Sequence, residues 1–400
     1  MKKLLTGFLS ACLVLTLIGC SQPSDKVPAS TSPSATQQDP VRSEPVDDLQ
    51  EPQLTRSMHA LALPVTTEEV FSKDGTLLFS LTHQNPQVTL EDPALSNEIT
   101  KDFQSRIQQN YSDAETIAKE AKTDFPETEL WANYFLNVTY TPTRLDQNIL
   151  SLFANQVAFR GGAHPYVITE SVTYDLQSGQ TLTLDDILCD GYDRETLLSM
   201  VLRALEDKAD ELSYDYQDIL TARFTDTETV IEDWYFSKTG LCFHFAPYDI
   251  APYSAGTVIA EIAYDDLAQL LRPQYTSTVV DDATGSIYVD SLAAAPEQRF
   301  PLIASLNLAS GSNGGILYSD ATVTDLRIET GTLLEDGSTF IASGVVFAAD
   351  ALGIGEAVRL TADFANSDMQ LRLVYHSSGH EISSLINYDP VANSLFLTSN

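Results

Sequence analysis

The sequence predicts an α+β fold, mainly antiparallel sheet with packed helices, followed by a smaller all-β, sandwich- or barrel-like C-terminal domain. Three observations carry this reading. Period-two apolar stretches dominate between residues 61 and 275. A few helical stripes interrupt them, without the strand–helix–strand regularity of a parallel sheet. Beyond Tyr275 glycine, serine, alanine and threonine rise, no helical stripe occurs, and short strand candidates follow one another between turn residues.

Taken in order, Val70 to Leu81 alternates around Lys73-Asp74-Gly75 and reads as a hairpin. Asn85 to Val88 continues extended. Asp92-Pro93 opens a helix, with aspartate as N-cap and proline at its first position. Leu95, Ile99, Phe103, Ile107, Tyr111 and Ala114 give that helix one apolar face. Trp131–Tyr140, Ser151–Phe159 and Val167–Leu176 read as strands, and Leu182–Asp186 as a short strand running into a turn. Asp193 caps a second helix whose face is Leu197, Val201, Leu205, Ala209 and Leu212, with further helix expected within Thr221–Trp234. Leu241, Phe243 and Phe245 alternate on a strand, as do Val258, Ala260 and Ile262, and Asp265 caps a last short helix through Leu270. The C-terminal region offers strands at 321–328, 339–348, 357–364, 369–375 and 394–397, so the expected division is 61–275 and 276–400.

The first nineteen residues read as an export leader. Lys2 and Lys3 precede an apolar run from Leu4 to Ile18 that is too short to span a bilayer comfortably, and Gly19 brings it to Cys20. This is similar to a bacterial lipoprotein signal. It implies cleavage before Cys20, lipidation of that thiol, and attachment to the outer face of the cytoplasmic membrane through the lipid alone. Residues 20–60 are rich in Ser, Pro, Thr and Gln and read as a disordered linker, whose coil of roughly 35 residues spans on the order of 30 Å. With 43% hydrophobic residues the remainder buries real cores. The formal net charge of -34 sets 56 acidic against 22 basic side chains, a surface that repels nucleic acid and anionic wall polymers and attracts cationic partners. Cys189 and Cys242 remain; in an exported chain they form a disulfide or stand as two buried thiols.

Three stretches go beyond patterning. They are Arg160-Gly161-Gly162-Ala163-His164-Pro165; Tyr174 to Gln180 followed by Leu182 to Ile187; and Phe245-Ala246-Pro247-Tyr248-Asp249-Ile250-Ala251-Pro252-Tyr253-Ser254-Ala255-Gly256. In this order and spacing they resemble the extracytoplasmic domain of RsiV-type anti-sigma factors, a module that also accompanies PdaC-type peptidoglycan deacetylases. The likeness covers roughly 69–271. It implies a non-enzymatic domain, which in the anti-sigma factors binds lysozyme. His164, Tyr248 and Tyr253 are the candidate binding surface, with loop histidine and core tyrosine as the plainer alternatives.

Enzyme signatures are absent from the sequence. It has no Gly-x-Ser-x-Gly elbow, no His-Glu-x-x-His pair, no Walker loop and no dinucleotide fingerprint. His376 and His380 flank Ser-Ser-Gly, which makes a turn rather than a helical metal face. Asp185-Asp186 and Asp281-Asp282 lack the spacing of a dedicated calcium loop. No catalytic residue, cofactor or metal is therefore expected. The sequence points first to a surface-anchored binder of lysozyme or another cationic wall-active protein, and second to a peptidoglycan-binding accessory module. An unrecognised hydrolase stands behind both.

Overall fold

The computed structural model describes residues 59–125, 131–226, 228–276, 283–291, 302–308, 313–334, 339–354, 356–362, 364, 370–391 and 394–399. The leader, Cys20, nearly all of the linker and Asp281-Asp282 lie outside the described residues.

The chain begins with β1 (Ala60–Ala62), β2 (Val65–Phe71), β3 (Leu77–Gln84) and β4 (Gln87–Thr89). Gly75 makes the β2–β3 turn at φ +88°, a left-handed conformation that glycine adopts without strain. Helix α1 (Pro93–Asp124) starts where the Asp92 carboxylate accepts from the Ala94 N–H at 2.7 Å. It buries Ile99, Phe103, Ala114, Ile117 and Ala121. That face lies on a five-stranded sheet of order β2-β3-β5-β6-β7, completed by β5 (Tyr134–Leu145), β6 (Ile149–Phe159) and β7 (Tyr166–Asp175). Only β3 and β5, joined through α1, run parallel within it. The Tyr174 hydroxyl donates to Asp102 at 2.6 Å and ties the helix to β7.

A second layer covers the opposite face. It contains α2 (Leu184–Ile187), α3 (Arg194–Ala204), α4 (Tyr216–Thr225), β8 (Trp234–Phe236), β9 (Gly240–Phe245), β10 (Val258–Ala263) and α5 (Tyr264–Leu267). All six residues of β9 are buried, because it is covered on both sides. Leu241, Phe243 and Phe245 enter the helical core, whereas His244 turns to β7 and bonds Thr169 and Ser171 at 3.0 and 2.9 Å. Leu182–Asp186, expected as a short strand running into a turn, leads into one helical turn at Leu184–Ile187, since Thr183 and Asp186 form a reciprocal capping box. The second helix stops at Ala204 and continues as 3-10 turns over Glu206–Glu211; the next helix begins at Tyr216, ahead of its expected place. Ala263, not Asp265, caps the last helix.

Gly240 is forced by packing. A Cβ there would sit 2.1 Å from the Ile262 carbonyl oxygen, which belongs to the paired strand and cannot step aside. Gly240→Ala is expected to destabilise by at least about 2 kcal/mol in urea unfolding. A loss below about 0.5 kcal/mol would contradict that rigidity.

The C-terminal strands are β11 (Ile287–Ser291), β12 (Leu302–Leu308), β13 (Asn313–Ser319), β14 (Val323–Leu333), β15 (Phe340–Leu352), β16 (Ala357–Ala362), β17 (Gln370–Ser377), β18 (His380–Asp389) and β19 (Ser394–Ser399). They form a four-stranded sheet, β11-β13-β16-β12, and a seven-stranded sheet, β19-β18-β17-β14-β15-β1-β4. Leu317, Val358 and Leu360 of the smaller sheet share a core with Leu326, Phe347 and Leu373 of the larger. This is a sandwich, not a closed barrel.

The larger sheet is completed from the other end of the chain. Ala60, Leu61 and Ala62 of β1 face Ala349, Ala348 and Phe347 of β15 on one side and β4 on the other. The His59 N–H donates to the buried Asp350 carboxylate at 2.8 Å, and the Leu63 N–H to Val346 at 2.8 Å. Leu54–Asn400 accordingly form one compact unit. Arg144, 4% exposed, bonds Asp146, the Tyr264 hydroxyl and the Tyr275 carbonyl at 2.6, 2.7 and 2.7 Å and lies over the Phe236 ring. It joins β5, β8 and the segment leading to the sandwich.

Candidate functional site

The turn between β6 and β7 places His164. Gly161 and Gly162 have φ of +82° and +98°, and the missing Gly161 side chain leaves room for the Tyr134 hydroxyl, 3.0 Å from where a Cβ would stand. His164 Nδ1 lies 3.0 Å from the Pro165 carbonyl oxygen, which only accepts, so that nitrogen carries the proton. The other nitrogen of the neutral ring is then an acceptor, and it faces the Tyr248 hydroxyl at 3.1 Å. This bond joins residues 84 positions apart in the chain.

Tyr248 is held by a tight loop after β9. Ala246 N–H donates to the Asp249 carboxylate at 3.0 Å, Asp249 N–H to the Ala246 carbonyl at 3.0 Å, and Tyr248 N–H to the Ala251 carbonyl at 3.0 Å. Ile250 and Ala251 anchor the loop in the helical core. Tyr248 has φ +78°, which for an aromatic residue is strained, and strain of this sort concentrates at functional surfaces. Tyr253 completes the group. Its ring stacks on His164 with centroids 3.9 Å apart and planes at 22°, and its centroid lies 5.7 Å from that of Tyr248. Tyr248 is 64% exposed. The three residues picked from sequence therefore meet as one aromatic surface, part apolar ring face and part hydroxyl. Among the described residues no carboxylate bonds His164, so the group resembles a contact platform more than a proton relay.

The other polar clusters are structural. Asp325, His376 and Glu381 bring three potential ligand atoms within 4.8 Å of one another. Lys238 and Arg327 already meet those carboxylates, Arg327 bonding Glu381 at 2.8 Å, so the cluster joins the β8–β9 turn to the sandwich by ion pairs. His380 starts β18 after a Ser378-Gly379 turn. Asp186 caps α2, and Asp185 accepts from Tyr192. Cys189 and Cys242 are free thiols, and burial pushes the Cys242 thiol up to about 11, which keeps it protonated and unreactive.

Sequence reasoning did not find the cleft at the edge of the five-stranded sheet. About 360 Å³ opens beside β7, lined in part by Glu170, Ser171, Thr173, Thr181, Glu232 and Asp233. Nor did it find that Tyr166 and Ile168, at the outer end of β7, stand 62% and 52% exposed. The alternation of Tyr166, Ile168 and Glu170 was visible, but nothing local reveals that these side chains stay exposed. Among the described residues no helix is long and apolar enough to cross a membrane.

Two family models match side by side where the motif resemblance fell. Residues 72–167 match "Deacetylase PdaC", and residues 185–265 match "Protein of unknown function (DUF3298)". Together these matches mark an extracytoplasmic accessory domain of the cell envelope. Among solved structures, a DUF3298 family member from Bacteroides fragilis is 19% identical with a TM-score of 0.41. A DUF3298 family protein from Pseudomonas aeruginosa is 14% identical with a TM-score of 0.36. Each comparison covers 54% of this chain and 94% of the other. No curated protein matches this chain.

Proposed function

We propose, on the premise that 72–265 is such an envelope domain, that this chain is a lipid-anchored, non-catalytic capture protein. Its ligand is a cationic wall-active protein, lysozyme first, seated on His164, Tyr248 and Tyr253. The observation that carries the reading is the assembly of those rings, from two loops 84 residues apart, into one surface on which Tyr248 is exposed and His164 and Tyr253 are half-buried. Tyrosine supplies large contact area at low entropic cost, which suits an interface centre. The net charge of -34 supports it by speeding the encounter with a basic partner more than by tightening the complex.

Calorimetry of the purified protein against lysozyme tests this. We expect binding that weakens as salt rises, as exposed charge pairs are screened. Tyr248→Gly should weaken it at least about tenfold, as loss of a central aromatic anchor does. The same substitution should leave the fold as stable or up to about 1 kcal/mol more stable, because glycine tolerates φ +78°. No binding at low salt removes lysozyme as ligand, and binding untouched by Tyr248→Gly removes the aromatic surface.

The match to a peptidoglycan-related family, "Deacetylase PdaC", favours one alternative, a glycan-binding accessory module. Co-sedimentation with purified peptidoglycan separates the two, because a protein-only binder stays in the supernatant.

A further inference from the structure

We infer that the outer edge of β7 is a docking strand for an extended, lysine- or arginine-bearing peptide segment, added as a sixth strand to the five-stranded sheet. This rests on the capture of a cationic protein proposed above and names how part of that partner is held.

Strand β7 ends its sheet, and among the described residues the backbone of a neighbouring segment pairs only with its C-terminal end. There the Leu182 N–H donates to the Thr173 carbonyl at 2.8 Å and the Asp175 N–H to the Gln180 carbonyl at 2.9 Å. These two bonds fix the parity. Odd-numbered residues of β7 turn their backbone groups outward, and the two-residue period extends this to Val167, Thr169 and Ser171. Among the described residues, no backbone group pairs with that outer edge between Val167 and Ser171. Folded proteins usually blunt such edges with lysine, proline or a bulge. Tyr166–Asp175 contains neither residue, and its pairing with β6 runs without a register shift.

A cleft of about 360 Å³ lies beside this strand at Glu170–Thr173. Glu170 lies on one face of β7, Ser171 and Thr173 on the other, Thr181 at the closed end, and Glu232 and Asp233 on the facing wall. Asp233 is paired with Arg223, and Arg106 at the rim is held by Asp102 at 3.0 Å. Glu170 and Glu232 are exposed, and among the described residues neither has an ion-pair partner. An added strand would satisfy the outward amides. Its basic side chains would meet those two carboxylates at cross-strand distance.

The probe is a dye-labelled (Lys-Val)4 peptide, read by fluorescence anisotropy and by hydrogen exchange of the purified protein. We expect binding at low salt with slowed exchange across 167–172. The same peptide N-methylated at alternate amides, and the unmodified peptide against a Glu170→Lys/Glu232→Lys double variant of unchanged urea midpoint, should each bind at least tenfold more weakly. Equal binding of the N-methylated peptide, protection confined to another strand, self-association of the protein through β7 that excludes the peptide, or no binding would each overturn the inference. If lysozyme binds and Tyr248→Gly releases it while exchange at 167–172 is unchanged, this inference falls alone. If the peptide protects 167–172 but lysozyme does not bind, only the choice of lysozyme falls.

Discussion

Arg144→Met is expected to lower the unfolding free energy by about 3–5 kcal/mol, the cost of breaking a buried ion pair from one side. Methionine fills the apolar stem but supplies none of the donors. Asp146 loses its cation, and the Tyr275 carbonyl and Tyr264 hydroxyl each lose a donor. The carboxylate of Asp146 keeps two backbone partners, Asn148 N–H at 2.8 Å and Ile149 N–H at 3.0 Å, so its own turn should survive. The rings of Phe236 and Tyr264, 5.2 and 5.4 Å from the guanidinium carbon, lose the cation they face. Arg144→Lys should recover only a minor part, because an ammonium cannot reach carboxylate, hydroxyl and carbonyl from one planar fork. Urea unfolding measures both variants. A loss below about 1 kcal/mol for Arg144→Met would show that the joint is held by packing alone.

Acidification should weaken the fold between about pH 6.5 and 4, through His83 and His244. Burial lowers both imidazoles to about 4; for His244 the nearby Arg223 charge adds to it. Across that window the unfolded chain takes up protons that the folded chain refuses, so stability falls as pH falls and is retained above about 6.5. Each residue contributes up to about 3 kcal/mol by pH 4, at about 1.4 kcal/mol per pKa unit. The structures around them differ. His244 has both nitrogens satisfied, by Thr169 and Ser171. His83 accepts from Asn110 at 3.1 Å and leaves Nδ1 without a hydrogen-bond partner. Relief of repulsion among the many carboxylates opposes the trend, so single variants isolate it. His244→Gln should flatten the slope of stability against pH below 6 by about 1 kcal/mol per unit. An unchanged slope would mean that His244 is not held neutral.

What the sequence disclosed was local. The turn at Gly75, the Asp92-Pro93 helix start and the alternation of Leu241, Phe243 and Phe245 each depend on neighbours a few residues away, and each stands in the structure. The capping box at Thr183 and Asp186 was masked by the apolar alternation of Leu182 and Leu184, which imitates a strand. Helix α4 was displaced because Tyr216 and Leu220, the first two residues of its buried stripe, precede the segment chosen, which takes in only Phe224. Strand β18 escaped notice because its His380–Ser384 half carries a single apolar residue, Ile382, too few to show an alternation. The residues of the aromatic surface were identifiable from sequence; the bond between His164 and Tyr248 was not, because it depends on how two sheets lie face to face. The cleft beside β7 was hidden for a related reason. Sheet order, not composition, decides which strand is left at a margin.

The position of β1 constrains the order in which the molecule can assemble. A chain delivered amino end first presents Ala60–Ala62 early, yet their slot opens only when Val345–Asp350 have arrived, and the bond from His59 to Asp350 closes a loop of 291 residues. Closure over such a separation is slow, because chain entropy is lost before the contact forms. Until then β1 and β4 lack β15, the strand that ties them to the rest of their sheet, and a chain cut short before residue 345 can never supply it. Truncated chains should therefore be recognisable as unfinished by any protease that probes loose ends.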